Sequence, residues 1–361
     1  MLSRFSLLSL VLFGVMACFA APATIAQTIT YELVPVGNPG NANDTGGTGN
    51  GAVAYEYQIG TYATTIGQYT AFLNAVAQTD TYSLYNDSMA TDLNVAGILQ
   101  SGSSGSFAYS VIANGGDSAN RPITYVSWWD AARFSNWMAN GQPTGGQGPT
   151  TTENGAYNVN GATTGPAVAK NATNPNTGAA PTFYIPLLDE WYKAAYYSPT
   201  LNSGSGGYYA YATQSDAAPG NIIGGSANQA NYIAASDLYS VTQSGTYDIS
   251  QNYLTDVGAF SGSGSAYGTF DQSGNVYQWN DLIGTSGSSR GLRGGSWNNG
   301  DPTNGAVYVS SSYSLTADPA DENSLIGFRL ASPFAVPEPS TWAIMFAGAS
   351  IGLMARRRRQ A

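Results

Sequence analysis

The side chains that could do chemistry in this 361-residue chain are Asp, Glu, Tyr, Lys and Arg, because it contains no His and a single Cys. That residue, Cys18, lies inside an apolar N-terminal run. Thiol nucleophiles, Ser-His-Asp triads and zinc, copper or iron sites built on Cys or His are excluded on ligand grounds. Structural disulfides are excluded with them. Carboxylate chemistry is left, together with hard metals that take oxygen ligands.

Both ends of the chain speak to where that chemistry would operate. Arg4 precedes the uncharged run Phe5–Ala17, and small residues offer cleavage after Ala20, Ala21 or Ala26. This is a secretory signal peptide pattern over residues 1–26. At the other end, Val336, Pro337, Glu338 and Pro339 precede an apolar segment at 341–355 and the block Arg356, Arg357, Arg358 and Arg359. The prolines fix an exposed, extended backbone. The arginines hold the end of the segment on the cytoplasmic side. The segment is shorter than the roughly 20 residues that comfortably span a bilayer, which suits a transient sorting tail. Residues 335–361 closely resemble the Pro-Glu-Pro C-terminal (PEP-CTERM) sorting signal. That resemblance implies handling by the secretion machinery and by an exosortase-type membrane protease. The protein is expected at the cell envelope, outer surface or extracellular matrix after a transient inner-membrane stage.

Loss of both ends leaves seven basic and 21 acidic residues, a net charge of −14. Such a body repels nucleic acid and anionic lipid; calcium or cationic surfaces suit it better. Its low charge density and its wealth of Gly and Tyr belong to a loop-rich exported fold. Residues 27–50 read as a flexible entry and 51–334 as one domain, with an irregular insertion at about 140–180. Val53–Gly60 alternates like a strand. The spacing of Ile66, Tyr69, Phe72, Leu73 and Val76 predicts a helix capped by Thr65. Arg121–Ser127 reads as a strand leading into a second helix. That helix has a near capping box of Ser127 and Asp130, and a core face of Ala131, Phe134, Trp137 and Met138. A third helix covers Leu188–Tyr197.

After the strand-helix opening, five motifs follow in order: Val126-Ser127-Trp128 with Ala131 and Ala132; Ile185-Pro186 with Glu190-Trp191; Gly274-Asn275-Val276 with Trp279; Arg293-Gly294-Gly295-Ser296-Trp297; and Gly327-Phe328-Arg329. Together they resemble the formylglycine-generating enzyme family, or sulfatase-modifying factor domain. The resemblance implies an α+β fold, a variant of the C-type lectin fold with little regular secondary structure. Read for themselves, Arg293 and Arg329 are expected to pair with buried carboxylates, Glu190 to be a structural partner, and the tryptophans to be core.

The chain departs from the family's chemistry. Asn299 and Asn304 stand near the positions where formylglycine-generating members carry their two copper-binding cysteines. Histidine-bound iron, the device of the sulfoxide-synthase relatives, has no ligands here. Neither copper, iron nor zinc is therefore expected. The resemblance does carry a Ca²⁺ site to Asp271, Gly274, Val276 and Gln278, with a weaker second segment at Asn231 and Tyr232. The competing reading of Asp271 is a cap on the turn before Gly274. The chain is thus expected to be a non-catalytic domain that binds or scaffolds, on extracellular polysaccharide or a surface protein. The alternative is an enzyme of this scaffold that processes glycans with paired carboxylates.

Overall fold

The computed structural model describes residues 28–234, 237–300 and 305–334. Its helices begin where side chains close the first turn. Thr65 accepts the Gln68 N–H at 3.2 Å, and the Gln68 side chain accepts the Thr65 N–H at 3.0 Å. This capping box starts α1 (Ile66–Val76), which buries Ile66, Tyr69, Phe72, Leu73 and Val76 as the spacing predicts. After a single turn, α2 (Ser88–Thr91), comes α3 (Trp128–Ala139). The Ser127 hydroxyl accepts the Asp130 N–H at 3.1 Å, and Asp130 accepts the Ser127 N–H at 2.9 Å. All twelve residues of α3 are buried, so the expected one-sided core face is in fact an all-round one. Two further helices, α4 (Leu188–Tyr196) and the short α5 (Leu201–Gly204), complete the series.

The strands are short. β1 (Leu33–Val36) pairs antiparallel with β2 (Tyr57–Gly60). β3 (Ile98–Ser101) and β4 (Ala108–Val111) form a hairpin, as do β5 (Tyr197–Ser198) and β6 (Gly207–Tyr208). β7 (Tyr277–Asn280), β8 (Arg290–Arg293) and β9 (Leu315–Ala317) run antiparallel, and β10 (Ile326–Gly327) adds parallel to β7. β11 (Ala331–Pro333) returns to β2, so the two ends of the domain share a sheet. The architecture is α+β. Phe72, Phe134, Trp137 and Phe328 lock α1 and α3 against the last strands, with ring centroids 5.2–5.6 Å apart.

Three expectations need correction. The entry at 27–50 is not free of structure, because β1 belongs to the sheet. The strand expected at Arg121–Ser127 is absent: Tyr125 has φ 57°, which breaks an extended run, and only a Thr65–Pro122 bridge forms. Residues 140–180 carry no helix or strand, yet they are built into the core by side chains. The Asn136 amide donates to the Thr152 and Tyr157 carbonyls at 2.7 and 2.9 Å, and Asn174 donates to the Ala139 carbonyl at 3.1 Å. Buried amides here satisfy backbone groups that a ladder would otherwise pair. The signal peptide at 1–26 and the apolar segment at 341–355 lie outside the described residues. Among the described residues no helix is long and apolar enough to cross a membrane.

Candidate functional site

The stretch after β8 holds the positions that carry metal ligands in oxidising relatives. Gly294 and Gly295 have φ of 100° and 73°, which turns the chain sharply toward Trp297. Ser296 then donates to the Asn299 side-chain oxygen twice, from its N–H at 2.6 Å and from its hydroxyl at 3.0 Å. The Asn299 carbonyl accepts the Ile233 N–H at 2.9 Å. A Cβ at Gly300 would stand 2.1 Å from the Ile233 Cβ, so the Ile233 side chain takes up the space beside this turn. Asn304 lies outside the described residues. Asn299 is thus a turn-forming residue beside an aliphatic side chain, and its amide cannot supply a thiolate.

Above that turn stands an aromatic column. The Trp297 and Tyr253 rings lie parallel at 5.0 Å and 3°, and Tyr253 and Tyr247 at 5.9 Å and 9°. Tyr239 leans on Tyr253 at 4.5 Å. Trp297 is 2% exposed and Tyr247 49%, so the column runs from the core to solvent. The Tyr247 hydroxyl donates to the Asn94 side-chain oxygen, and the Asn94 amide donates to the Asp248 and Gln251 carbonyls. Leu93 and Ile249 are exposed close by in sequence. Sequence reasoning did not find this column. Its only signal was the abundance of tyrosine between 204 and 265.

The residues expected to bind calcium are brought partly together. A parallel bridge joins Asn231 to Gly274, and Val276 is fully buried nearby. Several of their side-chain groups are already engaged. The Gln278 oxygen accepts from the Trp191 indole at 2.9 Å and from the Arg329 guanidinium at 2.5 Å, and its amide donates to the Asp271 carbonyl at 3.0 Å. One Asp271 carboxylate oxygen accepts the Gly258 N–H at 2.7 Å. Asn231 donates to Tyr253 and Asn275, while the Tyr232 hydroxyl donates to the Pro219 carbonyl. A cation on the Gln278 oxygen would face the Arg329 charge. The Gln278 oxygen is therefore a poor calcium ligand, while one Asp271 carboxylate oxygen and the Asn231 side-chain oxygen carry no hydrogen bond among the described residues. Among the described residues no three acidic side chains cluster closely enough to hold a metal.

The buried charges divide into two kinds. Arg133 pairs with Glu153 at 2.8 Å and Arg290 with Asp281 at 3.0 Å. Arg293 and Arg329 do not meet the carboxylates expected for them. Arg293 donates to the Ser311 and Tyr313 carbonyls and to the Thr48 hydroxyl. Arg329 donates to the Gly60, Thr61 and Phe270 carbonyls besides Gln278. Burial lowers the Arg329 guanidinium to about 10, still charged at neutral pH. Glu190 is structural as expected: it accepts from the Tyr55 and Tyr184 hydroxyls and the Leu187 N–H, and burial pushes its carboxyl up. Burial likewise lifts the enclosed carboxyls of Asp271 and Asp281 to about 6.

Residues 33–333 match the model of the sulfatase-modifying factor enzyme 1-like domain, which is most of the chain. The chain belongs to this family. Residues 335–359 match the PEP-CTERM protein-sorting motif, which marks this family member for export to the cell envelope and for processing by an exosortase, a membrane protease. Solved structures similar to it include CarF, at 21% identity and TM-score 0.47, covering 85% of this chain and 100% of that one. Treponema denticola variable protein 1 is 18% identical at TM-score 0.46, covering 86% and 97%. PvdO from Pseudomonas aeruginosa is 16% identical at TM-score 0.41, covering 84% and 92%. No curated protein matches the chain. This family member therefore combines a sulfatase-modifying-factor scaffold with a Cys- and His-free body.

Proposed function

We propose that the exported domain is a binding module for extracellular polysaccharide and performs no metal-dependent oxidation. The observation that carries this reading is the turn at 296–299, where Asn299 is held by Ser296 and backed by Ile233. The Tyr247 end of the aromatic column supplies a ring face of the kind that sugars stack upon, and the exposed Asn298 amide beside Tyr239 suits sugar hydroxyls. In this reading the chain is a lectin-like variant of its α+β fold. Its leader is cut after Ala20, Ala21 or Ala26, and the segment at 341–355 rests in the inner membrane until the exosortase removes it. A surface protein is the other partner class compatible with delivery to the envelope.

Binding of the purified exported protein to a glycan array, with and without a calcium chelator, tests the reading. Binding that survives chelation and drops for Tyr247→Ala is expected. If no glycan is retained under either condition, the polysaccharide reading is wrong. The alternative, carboxylate-based glycan processing, would appear in the same samples as newly released reducing ends.

A further inference from the structure

A broad cleft of the domain lies away from the residues the motifs single out. It is a cleft of about 1430 Å³ floored by α1 and bounded by residues 28–32, 105–107, 119–120 and 256–257. The outer face of α1 makes this possible, because it presents Gly67, Gln68, Ala71 and Asn74 rather than bulky groups, with Gln78 just past its end. A Cβ at Gly67 would stand 3.1 Å from the Ala119 carbonyl oxygen, so the glycine lets the 119–120 segment close one end. Gln68 and Asn74 are spent on the Thr30 and Tyr109 backbones, which makes the floor rigid.

One end of the cleft is different. Tyr62, Glu32, Asn120 and Asp256 line it, and among the described residues none of their side chains makes a hydrogen bond or ion pair. The Tyr62 ring is fixed by stacking on Phe270 at 5.6 Å and 28°. Burial and the neighbouring Glu32 and Asp271 charges raise its hydroxyl, which keeps it a donor. Among the described residues no Lys or Arg lines the cleft. Arg121, whose charge reaches Asp256, spends its guanidinium on the Asn114 and Gly115 carbonyls and the Ser118 hydroxyl.

A fixed aromatic face, an unbonded amide and two carboxylates with no ion-pair partner form a site for a ligand that is polyhydroxylated and positively charged. We propose that this cleft binds a glycan strand bearing free amino sugars, with a sugar ring on Tyr62 and its ammonium group held by Glu32 and Asp256. The inference rests on the polysaccharide-binding reading and specifies a second site and a ligand class for it. The closing carboxylates select against acidic glycans by repulsion and favour the amine over its N-acetylated form.

Calorimetric titration of the purified exported protein at pH 6 with a glucosamine oligosaccharide, its N-acetylated counterpart and a glucose oligosaccharide provides the test. The amine form should bind most tightly. Glu32→Gln with Asp256→Asn should weaken it by about tenfold and leave the other two unchanged, the scale of two partly screened charge contacts. Tyr62→Ala should weaken all three, and unfolding temperatures of each variant establish that the fold is kept. Equal binding of the three oligosaccharides, or indifference of the amine form to the double substitution, would overturn the cleft assignment while array binding still supported the general reading. Absence of any glycan binding by the unsubstituted protein would remove both.

Discussion

Arg133 and Arg290 sit in one region of the core and Arg293 and Arg329 in another, and the two pairs solve the same problem differently. On the α3 side each guanidinium meets a carboxylate, Glu153 or Asp281, so each of these two charges is paired. On the side of β11 and the Gly294 turn the guanidinium groups meet only neutral oxygens, and Arg329 draws them from Gly60, Thr61, Phe270 and Gln278 at once. A guanidinium with no carboxylate in contact thus ties together residues 60–61, 270 and 278, and the Gln278 oxygen is shared with the Trp191 indole.

Substitutions separate the two solutions. The largest loss is expected for Arg329→Met, which strips a donor from four buried acceptors; about 4 kcal/mol of unfolding free energy should disappear in denaturant titrations. Arg329→Lys should recover little of it, because one ammonium cannot reach the same set of oxygens. On the paired side, Glu153→Gln leaves Arg133 charged and uncompensated and should cost about 3 kcal/mol by the same measurement. If Glu153→Gln proved more harmful than Arg329→Met, the neutral-oxygen clamp would be the lesser device. A smaller effect follows from pH. The Asp271 and Asp281 carboxyls are both raised to about 6, chiefly by burial. Their contribution is full below the unfolded value of about 4 and is lost as pH rises through about 6. Asp271→Asn should therefore flatten the fall in melting temperature across that window. The smallest change is expected for Thr65→Ala, about 1 kcal/mol from the broken cap of α1.

What the sequence could tell followed from how local each signal is. Thr65 with Gln68 and Ser127 with Asp130 are three residues apart, and both capping boxes formed where the spacing put them. The paired glycines before Ser296 also adopt the positive φ their type permits. The Arg121–Ser127 run failed because one residue, Tyr125, turns back, and nothing in its side chain announces that. The partners of Arg329 were illegible for a different reason: Gly60 lies 269 positions away, and a carbonyl leaves no mark in sequence. The Tyr247–Tyr253–Trp297 column unites loops with no periodicity, so composition hinted at it without placing a single ring. The cleft over α1 was equally silent, since Gly67 and Ala71 look like ordinary helix residues until the 119–120 segment is seen against them.

Among the described residues all seven lysines and arginines are at least partly buried and none is exposed, whereas ten carboxylates are. Among the described residues, a protease that cleaves after basic residues thus meets only recognition side chains that are buried or half-buried. Cutting by such an enzyme becomes a clock for unfolding rather than a map of surface loops, and amine-directed labelling reagents meet the same barrier. For an exported domain with no cysteine to bridge, turning the cations of the described residues away from solvent is a form of durability.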